Sequence, residues 1–166
     1  MKQQLNEIII DILKENEKLV FIAIKQRAKF EGWLKFEIAC RLFDSYCDVE
    51  VEYPYPNNKN RYADIYANGN LIELKTPNTN YNAEQCKSCT RPITKNISSI
   101  IEDINKLRNA GGNCEKYIAF VLFPIDSDGK YSEYIERIKN DGKVELICKP
   151  LTINRTNVLV CSAEVF

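Results

Sequence analysis

The tightest constraint in this chain is a dipeptide, Asn68-Gly69, set between two alternating runs: Arg61-Tyr-Ala-Asp-Ile-Tyr-Ala67 and Asn70-Leu-Ile-Glu-Leu-Lys75. Asn-Gly is the strongest short-range signal for a two-residue type I′ turn, whose twist matches that of the strands it joins. Such a turn sets Ala67 against Asn70. It fixes a register in which Asp64 stands opposite Glu73, with Cβ atoms roughly 5 Å apart. Lys75, two positions on, points to the same face. The other face, with Ile65 against Ile72 and Ala63 against Leu74, is apolar. A one-residue slip would set Ile65 against Glu73 and mix the faces, so turn chemistry and hydrophobic pattern agree.

Two carboxylates directly across a sheet repel. A divalent cation between them removes the penalty, and carboxylate oxygens suit hard ions such as Mg²⁺ or Mn²⁺. The adjacent lysine can position or deprotonate an attacking water, or neutralise charge developing on a phosphate. The plainer alternative is an exposed strand face on which Lys75 balances the two acids.

The neighbouring segments give this pattern a context. Gly32–Phe43 reads as a helix and Asp48–Tyr53 as a strand; after the hairpin come a helix at Ile97–Leu107 and an apolar strand at Tyr117–Phe123. Asp64, a short hairpin and then Glu73-Leu74-Lys75, in that setting, resembles the PD-(D/E)XK nuclease superfamily, whose core runs helix, three-stranded meander, helix, strand. The match covers about residues 31–125. Ala63 stands where the name-giving proline would be. The resemblance implies an α/β domain with a central mixed sheet flanked by helices, of restriction-endonuclease-like architecture. It also implies metal-dependent phosphodiester hydrolysis, on DNA first and RNA second. Asp64 and Glu73 are then Mg²⁺ (or Mn²⁺) ligands, and Lys75 positions the water. The first helix of such a core often supplies a glutamate; Glu37 is assigned that role and Glu31 is the fallback. The alternative for Glu37 is a solvent-facing pair with Arg41, its i+4 neighbour.

A length of 166 residues suits one domain spanning 1–166, with helices over about 3–30 preceding the core and extra strands after it. The 23 basic and 23 acidic residues cancel, so the overall charge does not advertise a nucleic-acid binder. Local charge is uneven. Residues 25–41 hold Lys25, Arg27, Lys29, Lys35 and Arg41 against Glu31 and Glu37. Lys59, Arg61 and Lys106 are the expected nucleic-acid contacts; the 25–41 cations, with Lys87, Arg91 and Lys95 that approach the next helix, are further candidates to face phosphates, a solvated face being the alternative. Glu102 and Asp103 read as surface charges. Little chain lies beyond the core, so specificity is expected to need a homodimer or a partner subunit.

The complete lack of histidine excludes a His-based general base, a catalytic triad and a histidine-bearing zinc site. Seven cysteines without an export signal read as reduced thiols of a cytoplasmic protein. Cys40, Cys47, Cys148 and Cys161 are expected as small apolar fillers. Cys86-Lys-Ser-Cys89, with Cys114, leaves open a thiol–metal protein holding zinc or an iron–sulfur cluster. A non-catalytic nucleic-acid-binding or assembly module on the same fold is the other rival. No run reaches the roughly 18 apolar residues a membrane span needs. The remaining expected elements are helices at 3–15, from Leu19 to about Phe30 and at 131–140, and strands at 143–149 and 157–165. Loops are expected over Pro54–Asn60 and Thr76–Pro92, with a turn at Asp126–Gly129.

Overall fold

The computed structural model describes residues 1–166 apart from Arg91, Ser127, Asp128 and the side chain of Lys2. The expected phosphate contact of Arg91 and the middle of the 126–129 turn lie outside the described residues. Along the chain run α1 (Lys2–Glu15), α2 (Glu17–Gln26), α3 (Glu31–Phe43), β1 (Val49–Tyr55), β2 (Asn58–Ala67) and β3 (Asn70–Lys75). They are followed by α4 (Thr94–Arg108), β4 (Glu115–Leu122), α5 (Tyr131–Gly142), β5 (Ile147–Ile153) and β6 (Thr156–Glu164). The domain is α/β, with one six-stranded mixed sheet in the order β1-β2-β3-β4-β6-β5. Among the described strands only β3 and β4 pair in parallel. Parallel neighbours need a crossover, and α4 supplies it.

Asn68 and Gly69 both have positive φ, 45° and 84°, as a type I′ turn requires. The β2–β3 ladder pairs Ala67 with Asn70 and Ile65 with Ile72, the expected register. β4 is buried on both faces and reads as an unbroken apolar run for that reason. One face packs under α1–α3, where Leu5, Ile9, Leu34 and Ile38 meet Ile65, Ile72 and Leu74. The other packs under α4 and α5, where Ile97, Ile104 and Ile138 meet Leu71, Ile118 and Phe120. Ala63 joins this second layer with Tyr55, not the first layer with Leu74 as expected.

Several boundaries differ from expectation for identifiable reasons. The loop expected over Pro54–Asn60 shrinks to a turn at Pro56-Asn57. Pro54 can stay in β1 because that strand is at the sheet edge, where a missing N–H is tolerated. The turn is pinned to the end of α4: Asn57 N–H donates to the Ala110 carbonyl at 3.2 Å. Gly112 allows the approach, since a Cβ there would sit 2.9 Å from Pro56 Cγ. α2 stops at Gln26, where Arg27 turns left-handed with φ 55°. β5 starts at Ile147 rather than 143, because Lys143 ends α5 in the left-handed region and Val144 is buried against the α4–α5 layer.

Cys148 and Cys161 face each other across β5 and β6 and are joined as a disulfide, correcting the expectation of reduced fillers. The 76–92 connection is tied down by Arg27. Its guanidinium donates to the carbonyls of Thr79 (2.6 Å), Tyr81 (2.5 Å) and Lys87 (2.5 Å). Arg27 is thereby withdrawn from the expected phosphate-facing cations. Among the described residues no helix is long and apolar enough to cross a membrane.

Candidate active site

Asp64 sits at a break in two ladders. β1 pairs with β2 at Val51–Ile65 and at Tyr53–Ala63 but skips the position between, where Glu52 has a φ of 54°. The β2–β3 ladder ends at Ile65–Ile72. The Asp64 carboxylate takes over a backbone role here, with Oδ2 accepting the Leu74 N–H at 2.8 Å. Past this point β2 and β3 part. The opening is a cleft of about 390 Å³ lined by Tyr55, Arg61, Tyr62, Asp64, Glu73, Lys75, Asp103 and Lys106.

Each acid in the cleft has its charge answered differently. Glu73 is only 7% exposed and accepts a hydrogen bond from the Tyr55 hydroxyl. Burial pushes its carboxyl up to about 8; the Tyr55 bond opposes this, and the charges of Asp64 and Asp103 add to it. Asp64 lies 3.6 Å from Lys35 Nζ, which also pairs with Glu52. Asp103 Oδ1 meets Lys106 Nζ at 2.5 Å, and Oδ2 lies 3.0 Å from Lys75 Nζ. That second contact is ionic without a well-directed hydrogen bond. Lys75 Nζ is also 3.4 Å from Glu31 Oε1. Burial works against its ammonium form, but Asp103 and Glu31 together raise the Lys75 pKa above the usual lysine value.

Asp64, Glu73 and Lys75 are thus brought to one cleft, as the hairpin predicts. Glu37 is not. It lies half-buried on α3 outside the cleft, and Arg41, its expected partner, pairs with Glu15. Glu31 and Lys35, one turn apart, occupy the α3 face toward β2 and β3; Glu37 is about 200° round the helix from Lys35. Glu31, the fallback, reaches the site through Lys75, and its Oε2 accepts the Thr76 N–H at 3.2 Å. Arg61 and Lys106 border the cleft, whereas Lys59 is exposed on β2 outside it.

Asp103 corrects the expectation of a surface charge, being 3% exposed. The signal was present in the sequence, because position 103 lies between Ile100 and Leu107 on the apolar stripe of α4. Tyr55 had no comparable signal; it enters the site where the β1–β2 register shifts between Pro54 and Tyr55.

Among the described residues no three His, Cys, Asp or Glu side chains form a ready-made metal cage, either at this cleft or at Cys86, Cys89 and Cys114. The cleft nevertheless has the donor chemistry a hard cation needs. Carboxylates from two strands, Asp64 and Glu73, line it, while Asp103 Oδ2 already faces the Lys75 ammonium at 3.0 Å. The Cys86 thiol is pushed up by burial, the opposite of what a metal-ready thiolate requires. Comparison with protein families, with curated proteins and with solved structures finds no match to this chain.

Proposed function

We propose that this chain is a divalent-metal-dependent phosphodiesterase of the PD-(D/E)XK nuclease kind, acting on DNA first and RNA second. One observation carries the reading. Asp64, Glu73 and Lys75 share a cleft in which Glu73 is held protonated to about pH 8 by burial beside two other carboxylates. Such a cluster is unfavourable when empty of cations and favourable around one. Asp64 and Glu73 are the residues that would hold Mg²⁺ or Mn²⁺, which when bound would supply Lewis-acid polarisation of a phosphate.

The chain's own groups divide the remaining tasks. Lys75, kept charged by Asp103 and Glu31, is a donor and not a proton acceptor at neutral pH. Its role is to position the attacking water and to neutralise charge on the phosphate oxygens. Glu31 serves the site by holding that lysine, which replaces the direct role expected of Glu37. Arg61 and Lys106, which line the cleft, are the groups this reading assigns to flanking phosphates.

The test is cleavage of labelled single-stranded, duplex and branched DNA and of RNA with Mg²⁺ or Mn²⁺, using Lys75→Met as the control. Metal-dependent products from wild type and none from the variant are expected. Binding without cleavage in either metal would leave a non-catalytic binding module.

A further inference from the structure

The cleft carries one aromatic ring that this chemistry does not use. Tyr62 is 51% exposed, one of the large side chains left in water. It lies two residues before Asp64 on β2 and lines the cleft beside Asp64 and Arg61. Tyr53 and Tyr66, elsewhere on the hairpins, stack on each other with centroids 4.3 Å apart; Tyr62 stacks on no ring among the described residues.

Charge says what the ring is for. The chain is formally neutral. Arg61 makes no ion pair among the described residues, and Lys106 is shared with Asp103. Contacts to roughly six to ten phosphates are what give a backbone-held duplex complex its steep salt dependence. Two rim cations are far fewer, and a cleft of about 390 Å³ is small-ligand sized and not a channel along a double helix. Binding then has to draw on a contact that paired, stacked bases do not offer. An open aromatic face takes any unpaired base, and one such stack is worth about tenfold or more in affinity.

We infer that the cleft takes single-stranded polynucleotide, one unpaired base lying on the Tyr62 ring while Arg61 and Lys106 hold its phosphates beside Asp64 and Lys75. The inference rests on the phosphodiesterase reading for the fate of the bound strand. DNA and RNA share the recognised chemistry, because every base has a π-face.

The experiment uses the full chain in EDTA, so that binding is read without turnover. The probes are single-stranded DNA and RNA oligonucleotides carrying one fluorescent aminopurine, and the same DNA as a duplex. Single strands are expected to bind at least about tenfold tighter than duplex, with the aminopurine quenched. Tyr62→Ala is expected to lose about tenfold of that affinity and the quench, leaving duplex binding within about twofold. Tyr62→Phe is expected to keep both. Because the ring is exposed, the variants should melt with wild type, which a thermal scan verifies. Equal affinity for strand and duplex, no binding of either, unchanged strand binding by Tyr62→Ala, or a loss shared by Tyr62→Phe each overturns the inference. Adding Mg²⁺ or Mn²⁺ separates it from the catalytic reading. Duplex cleavage unaffected by Tyr62→Ala would remove this inference alone, and tight strand binding without cleavage would remove the catalytic reading alone.

Discussion

Lys75 on β3 and Asp103 on α4 meet at 3.0 Å inside the cleft, joining the end of one strand to the helix that crosses over from it. Asp103 is buried, so its charge depends on Lys75 and Lys106 rather than on water. The lysine of the candidate site is therefore a structural counter-ion as well as a chemical group.

Removing Lys75 alone leaves Asp103 with one partner. Lys75→Met is expected to lower stability by about 2 kcal/mol, below the full cost of breaking a buried pair because Lys106 remains. Lys75→Met combined with Asp103→Leu should recover most of that loss and still fail to cleave. Urea unfolding of wild type, both single variants and the double variant measures the coupling. A single variant as stable as wild type would show that the pair carries no weight.

Glu73 gives the fold a pH dependence of definite sign. With its carboxyl raised from 4.5 to about 8, the folded chain holds a proton that the unfolded chain has lost over that interval. This contribution is fully present below about pH 4.5, falls as pH rises toward about 8, and then levels off. Glu73→Gln should abolish the fall, gaining on wild type most at about pH 9. Denaturation curves for both proteins across this range provide the check; parallel profiles would mean that Glu73 is ionised in the folded chain.

Divalent ions should stabilise the wild type. Millimolar Mg²⁺ or Mn²⁺ is expected to raise the melting temperature by a few degrees, and EDTA should reverse the rise. Asp64→Asn and Glu73→Gln should each remove most of the response. An identical melt with and without ions would show that the cleft holds no divalent cation.

At Asp64, asparagine and alanine should behave differently. Asn keeps an oxygen acceptor for the Leu74 N–H, so Asp64→Asn should lose cleavage with little change in stability. Asp64→Ala strands that N–H and should cost a further ~1–3 kcal/mol. Equal unfolding midpoints for the two variants would show that the bond does not matter.

Salt should distinguish the two basic residues of β2. If Arg61 contacts a phosphate, Arg61→Ala should reduce the slope of log affinity against log salt by about 0.7 for a single strand. Lys59→Ala should leave the slope nearly unchanged, because Lys59 lies outside the cleft.

The hairpin was legible because two independent signals, Asn68-Gly69 and strict alternation, specify one register; with it came Asp64, Glu73 and Lys75. The order of helices and strands followed from periodicity. The phase of α3 did not. Trp33, Leu34, Phe36, Ile38 and Phe43 make that helix apolar on most sides, so only packing on the sheet selects Glu31 over Glu37. Asp103 was visible as an acid on an apolar stripe, and its meaning appears only with Lys75 opposite. The Cys148–Cys161 bond depends on the tight turn at Asn154-Arg155. Both residues adopt positive φ, 42° and 66°, without the glycine that would announce such a turn. Tyr55 arrives through a register shift that no local pattern encodes.

Arg27 fastens three carbonyls of the segment that leads from the cleft's β3 to α4. The amino-terminal helices are thus part of the cleft's foundations, although none of their side chains line it. A chain trimmed to begin at Glu31 would retain every lining residue and lose both the α1–α2 cover of one sheet face and a guanidinium that moors the approach to Asp103. Damage there would reach Lys75 from behind, through a helix, at a distance that a list of site residues would never suggest.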